Sequence, residues 1–350
     1  MSFGGALNED DDILTNRAAV SERRMQRGQE TRHHEMTILW PHVVLAVTIH
    51  LFALYGAKLF ITDAKPLTIV WSCLLHVLSV WGLAIGAHRL WSHRSFKAKL
   101  PLRIFLTFCN TIGFQFPIFY WAKIHRLHHK FPETDADHAN VKRGFFFAHV
   151  GWLLCKQHPD VKRLGYSIDM SDLLSDPCVS FQKKHFLKLG IALCFVMPTV
   201  VPILWGESLF TAFFTAAVCR FVFTLQIQFC LTSIAHYVGD RPYDGAISAA
   251  QTSLLNLLTL GEGQHNFHHV FPWDYKASEY SYYLTNLNTA FIDAMAALGA
   301  AYDLKTTSAA AMKARVLRSG DGSHHVWGWR HQDAVAEERV ELNKLACEAH

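Results

Sequence analysis

No Cys-x-x-Cys pair occurs in this sequence, although it contains eight cysteines. That excludes a zinc knuckle and a thioredoxin-like redox motif. Cys73, Cys109, Cys155, Cys178, Cys194, Cys219, Cys230 and Cys347 mostly fall within apolar runs. They read as small buried hydrophobes in a reducing compartment, not as a disulfide frame. Charge is scarce as well. Only 18% of residues are Asp, Glu, Lys or Arg, and a net charge of +4 is too small to imply a nucleic acid partner. The first residues lack a basic start, an apolar core and a small-residue cleavage site, so no secretory signal is expected.

What the chain does have is apolar residues in blocks and histidine in clusters. Half of the residues are apolar and the mean hydropathy is +0.12, which points to a membrane protein. Four apolar runs cover about 37–61, 66–87, 186–205 and 208–235, each long enough for the roughly 20 residues that cross a bilayer. Only Thr62-Asp63-Ala64-Lys65 separates the first two, and only Gly206-Glu207 the last two, so two helical hairpins are expected. The long middle segment carries Arg89, Arg94, Lys97, Arg126, Lys142, Arg143, Lys162 and Arg163, among other bases. By the positive-inside rule it faces the cytosol, as do both termini. Residues 1–36 are polar, with an acidic run at 9–12, and read as a disordered cytosolic tail; 321–350 read as a second tail. The apolar but Arg103-, Asn110- and Gln115-bearing stretch from Pro101 to Tyr120 is expected to lie along the membrane surface.

The histidines fall into three clusters: His88 with His93; His125, His128 and His129; and His265, His268 and His269. The last two share the spacing H-x-x-H-H, and on a helix His265 and His269 lie on one face. Glycines 261 and 263 let the backbone turn tightly beside the third cluster. His236 stands at the end of the fourth run, on the same side as His88. Nine imidazoles are too many for one ion and suit two, with four or five ligands each. Nitrogen donors are compatible with iron, copper, zinc or nickel. A zinc hydrolase would need fewer ligands, and an iron pair beside a membrane suggests oxygen activation on a lipid.

The three boxes, His88-Arg89-Leu90-Trp91-Ser92-His93, His125-x-x-His128-His129 and Gly261-Glu262-Gly263-x-His265-Asn266-x-His268-His269, resemble those of membrane acyl-CoA desaturases of the delta-9, stearoyl-CoA type. The similarity spans roughly residues 40 to 320, including Arg143-Gly144-Phe145-Phe146-Phe147, Arg241-Pro242-Tyr243-Asp244 and Phe271-Pro272-Trp273-Asp274-Tyr275. The tail around Val326-Trp327-Gly328-Trp329 is insect-like. The resemblance implies an all-α integral membrane fold, four transmembrane helices under a cytosolic helical cap in one desaturase domain (37–320). It implies an endoplasmic reticulum location. Two iron ions would be held by His88, His93, His125, His128, His129, His236, His265, His268 and His269. With O2, and electrons from cytochrome b5 and its NADH-dependent reductase, a cis double bond would enter a long-chain acyl-CoA. No His-Pro-Gly-Gly haem segment is present, so the donor would be a separate protein. A lipid hydroxylase with the same centre, or a catalytically weak lipid- and metal-binding relative, are the alternatives.

Three departures from the family pattern stand out. Thr232 replaces the Asn that holds a metal-bound water. Lys123-Ile124 replaces Arg-Asp after Trp121-Ala122, and Lys156-Gln157 replaces Arg-Lys, at positions that contact CoA. Lysine lacks the bidentate phosphate fork of arginine. Trp121, Lys123 and Lys156 are expected near the substrate, Ala84 and Val80 along the acyl tunnel one and two turns from His88, and Trp81 as its cap. His42, His50 and His76 are expected in packing or polar contacts, His138 and His149 as structural, and His33, His34, His324 and His325 as solvated tail residues.

Overall fold

The computed structural model describes residues 36–330 apart from residue 281, so both extreme tails, with His33 and His34, lie outside the described residues. The main helices are α1 (Trp40–Thr62), α2 (Pro66–Ser92), α3 (Leu100–Gly113), α4 (Ile118–Lys130), α5 (Pro177–Trp205), α6 (Leu209–Tyr237), α7 (Ser253–Leu258), α8 (His265–Val270), α9 (Leu287–Ala297) and α10 (Ala309–Ser319). Prolines open α2 and α5, where a missing N–H costs nothing. Asp176 caps α5 by accepting from the Cys178 N–H at 2.9 Å.

Helices α1, α2, α5 and α6 are the four that are long and apolar enough to cross a membrane. Hydropathy placed all four, but α2 continues to Ser92 and α5 begins at Pro177, beyond the apolar runs. The added turn of α2 buries His88, Arg89 and Ser92, and the start of α5 carries exposed Ser180, Lys183 and Lys184, polar residues that end an apolar run without ending the helix. On α1, Val44, Leu45, Leu51 and Leu54 are exposed as lipid contacts. Its small face meets α6 closely: a Cβ on Gly56 would lie 2.1 Å from the Phe214 carbonyl oxygen. Within the span, Arg220 is buried and donates to the carbonyls of Ala216, Ile112 and Cys194, tying α6 to α3 and α5 without a carboxylate.

The two hairpin turns are joined opposite the cap. Glu207 accepts from the Lys65 N–H at 2.9 Å and the Thr68 hydroxyl at 2.7 Å, and Trp205 also donates to Thr68 at 2.9 Å. Glu207→Ala would leave the buried Thr68 hydroxyl and the N–H groups of Lys65 and Ser208 without their acceptor, so a loss of about 1–3 kcal/mol is expected. A melting curve in detergent checks this, and an unchanged Tm would refute it.

Helices α3 and α4 meet at a bend of 85°. Phe114 and Phe116 make the turn with φ of 49° and 71°, the left-handed region that bulky residues rarely visit. The bend returns α4 to the end of α2, with the His88 and His125 ring centres 4.7 Å apart, so this pair is not a fifth crossing. The expected surface helix is thus a bent pair. Arg126 clamps the junction by donating to Asp172, Trp91 O and Ser92 O. Ile85, Leu90, Leu106, Ile118, Leu173 and Ile292 pack between spans and cap. A two-stranded ribbon, β1 (Lys97–Ala98) antiparallel to β2 (Ala301–Tyr302), pins residues after α9 to the end of α2.

Candidate metal centre

The nine histidines come from four separate stretches of chain, and local geometry aims each. His88 and His93 are five residues apart, which on an α-helix sets them roughly 140° apart. The last turns of α2, Gly82–Ser92, are instead π-helical. The wider turn closes with the His93 N–H donating to His88 O at 3.1 Å and brings the two ring centres to 4.9 Å. On α4, His125, His128 and His129 follow the α-helical pattern. Helix α8 is seated by Asn266, whose side chain accepts from Tyr243 N and donates to the carbonyls of Asp244 and Ala249. Gly261 has φ +129°, and a Cβ there would lie 2.2 Å from Asn286 Oδ1. His236 follows a break in α6 at Ser233.

All nine rings meet. Nε2 of His268 lies 2.9 Å from Nε2 of His88 and 3.0 Å from that of His129. His93 Nε2 approaches His125 Nε2 at 2.8 Å. On the other side, His265 Nε2 lies 3.0 Å from His236 and 3.1 Å from His269, and His128 lies 3.4 Å from His269. Two groups result that could each hold a cation: His88, His93, His125, His129 and His268, with donor atoms within 4.8 Å of one another, and His128, His236 and His269. His265 borders the second.

Tautomers test whether cations fit. Nδ1 of His88 faces Glu262 Oε2 at 2.9 Å, and Nδ1 of His128 faces Asp137 Oδ2 at 2.9 Å. A carboxylate fixes the proton on Nδ1, so each Nε2 turns a lone pair inward, towards other Nε2 atoms. Burial, then repulsion among the clustered groups, holds His93, His268 and His269 well below the ordinary histidine range and His265 at about 3. Neutral rings whose Nε2 atoms converge at 2.8 to 3.4 Å make a nitrogen donor set that can take up cations. Burial pushes the Asp137 carboxyl up, but its pairing with His128 prevails and holds it at about 2, so it stands as a carboxylate. The negative charge behind His128 favours a cation at its Nε2. The donor set therefore fits two transition-metal ions.

A cavity opens beside the cluster, lined by His88, His125, Trp121, Ala84, Phe116 and Thr232 among others. Trp121 stacks on His125 at 4.7 Å. Of the residues expected along a tunnel, Ala84 lines this space, as does Trp121, expected near the substrate. Val80 is fully buried off it, and Trp81 packs against Phe291 at 4.3 Å instead of capping it, because α9 covers that face of α2. Lys123 lies over the Tyr166 ring at 5.2 Å and Lys156 is exposed. The Thr232 hydroxyl is directed to the carbonyls of Ala148 and Phe229, at 2.8 and 3.0 Å.

The membrane histidines are in polar contacts, as expected: His42 with Leu153 O, His50 with Ala46 O and Gln226, and His76 with Thr224. His324 is not a solvated residue. It is buried, meets Glu279 Oε2 at 2.9 Å and stacks on Trp327, so residues 321–330 pack onto the cap. Polar tail composition concealed this, because its partner lies 45 residues upstream. Sequence reasoning also missed Glu262 and Asp137. The first was visible in the Gly-Glu-Gly motif; the second had no signal beyond lying eight residues after His129.

Residues 64–284 match the family model for fatty acid desaturases. The chain belongs to the fatty acid desaturase family. It is 51% identical over 302 residues to the acyl-CoA Delta-9 desaturase of Acheta domesticus, covering 86% of this chain and 84% of that protein. It is 45% identical to the acyl-CoA Delta12-desaturase of the same insect, over 95% and 94% of the two chains. With stearoyl-CoA desaturase 5 of Bos taurus it shares 48% identity over 83% and 87%. In this desaturase the histidine boxes recognised in the sequence thus converge in one cluster beside the cavity, on a multi-pass membrane scaffold.

Proposed function

We propose that this protein is an acyl-CoA desaturase that introduces a cis double bond, at the delta-9 position, into a long acyl chain lying in the cavity. The observation that carries this reading is the apolar-walled cavity bordered directly by His88, His125, His128, His236 and His265. The nine histidines are read as the ligands of two iron ions. Iron supplies the activation of O2 needed to break unactivated C–H bonds. Overall, a CH2–CH2 pair gives up two hydrogens; O2 accepts these with two further electrons and two protons, leaving two waters and the alkene.

The chain's own residues hold and enclose. Glu262 and Asp137 orient His88 and His128. Small Ala84 leaves room beneath the cluster, and Trp121, braced on His125, forms a wall that excludes water. Lys123 and Lys156 supply positive charge for the CoA phosphates, as point charges and not bidentate forks. Electrons come from cytochrome b5 and its NADH-dependent reductase, with the cap and both termini cytosolic in the endoplasmic reticulum membrane. The desaturase domain is read as 37–320.

Expression in a yeast strain lacking its own delta-9 desaturase, followed by fatty-acid profiling, tests this. New monounsaturated acids with the bond at carbon 9 are expected. Bonds at carbon 12 would move the regiochemistry to that of the second cricket relative, and hydroxylated acids would replace the reading with a hydroxylase. A second reading, a catalytically weak lipid- and metal-binding relative, is favoured by Thr232, whose hydroxyl is turned to backbone carbonyls. If a water-holding amide was lost there, Thr232→Asn should raise turnover several-fold. An unchanged rate would sink that explanation.

A further inference from the structure

Behind the two groups of histidines stand two buried carboxylates on different parts of the chain, in unlike surroundings. Glu262 Oε2 meets His88 Nδ1 at 2.9 Å, while Oε1 accepts from Arg89 Nε at 3.0 Å and Nη2 at 2.5 Å and from Asn288 at 3.0 Å. Its charge is neutralised by a guanidinium that is itself 1% exposed. Asp137 is 3% exposed and meets His128 Nδ1 at 2.9 Å. Its other contacts are His138 at 3.7 Å and the N–H groups of Glu133 and Ala139 at 3.2 Å each, with no arginine or lysine among them. A second acid approaches the same group. Glu133 Oε1 accepts from Ser248 N at 2.8 Å, and Ser248 Oγ is 2.8 Å from His236 Nδ1. Lys142, 3.5 Å from Glu133, is largely exposed and therefore screened.

We propose that Glu262 and Asp137 are positioning residues, one for each of two inequivalent cation sites. Glu262 sets the five-histidine site through His88, and Asp137 sets the site of His128, His236, His265 and His269 through His128. Each carboxylate fixes its imidazole's tautomer and ring plane and raises the basicity of the inward nitrogen. Because the two acids act on different ligands and share no hydrogen bond, each controls retention of its own ion. The pair His128–Asp137, lacking a neighbouring cation, works as an uncompensated carboxylate–histidine dyad. The pair His88–Glu262 works as part of a neutral triad with Arg89. This inference rests on the reading of the histidines as ligands to two ions, but not on the reaction they serve.

The test loads the full-length protein in detergent with Co2+ and follows release to a chelator, alongside desaturase activity. Wild-type protein is expected to bind two ions. Asp137→Asn should speed release of one of them about 10- to 100-fold, the loss typical of an outer-shell partner, and leave the other unchanged. Asp137→Glu should recover part of the retention. Glu262→Gln, whose amide oxygen still accepts from Arg89, should speed release of the other ion. The Co2+ absorption bands altered by the two variants should differ. A thermal melt on each variant separates unfolding from local loosening: equal acceleration of both ions at an unchanged Tm overturns the assignment. So does an unaltered release rate, and so does a fall in Tm that fully tracks the loss of metal with no rescue by Asp137→Glu. Correct binding of two ions without desaturated product would leave this inference standing and strike only the proposed reaction.

Discussion

Changing His268 to alanine should abolish product formation by the expressed protein and lower its bound metal from two ions towards one. His268 is 2% exposed, and its Nε2 is the meeting point of the five-histidine group, 2.9 Å from His88 and 3.0 Å from His129. Removing it takes away a ligand, a larger change than the loss of an outer-shell partner, which itself costs 10- to 100-fold. A fall in monounsaturated product of more than about 100-fold is therefore expected. The cavity left is small and lies among polar rings, so folding should survive. Fatty-acid profiling with parallel metal analysis makes the measurement. Full activity would remove His268 from the centre, and lost activity with both ions retained would make it a substrate-side residue.

Gly82→Ala should be the most destabilising single methyl added to the spans. Gly82 begins the π-helical part of α2 where it crosses α3, and a Cβ there would lie 2.0 Å from Asn110 N and 2.2 Å from Cys109 C. Both atoms are backbone, so no side-chain rotation relieves the clash; the helices must separate. Overpacking in a tight core costs typically 1–3 kcal/mol, and a backbone collision belongs at or above the top of that range. Separation would also displace His88, six residues on, so metal retention should fall with stability. Gly113→Ala is the control within the same helix pair: its Cβ would sit 3.5 Å from Ser79 Cβ, an ordinary contact. Thermal melts of the two variants make the comparison, and equal Tm values would refute the close-approach argument.

Much of this molecule was legible before its structure. The spans were, because a bilayer needs a local run of apolar residues, and runs such as Met36 to Ile61 show it without long-range information. The histidine cluster was, because nine imidazoles stand in short groups near the ends of two spans, and the boxes around them resemble a known family. Glycines 261 and 263 were legible for a similar local reason.

What the chain order did not contain was how those pieces meet. His88 and His93 converge only because α2 widens into a π-helix, a departure from the periodicity that sequence arguments assume. His125 reaches His88 only because two phenylalanines adopt left-handed backbone angles at an 85° bend, which hydropathy reads as one more apolar segment. Glu262 and Asp137 meet His88 and His128 through contacts set by folding, the first across 174 residues; His324 is buried for the same reason. The sequence by itself determined the elements and the chemistry of the donors, since both depend on residue type and local spacing. Only the tertiary structure decided which imidazoles gather together and which acid stands behind each, because those choices rest on packing between segments far apart in the chain.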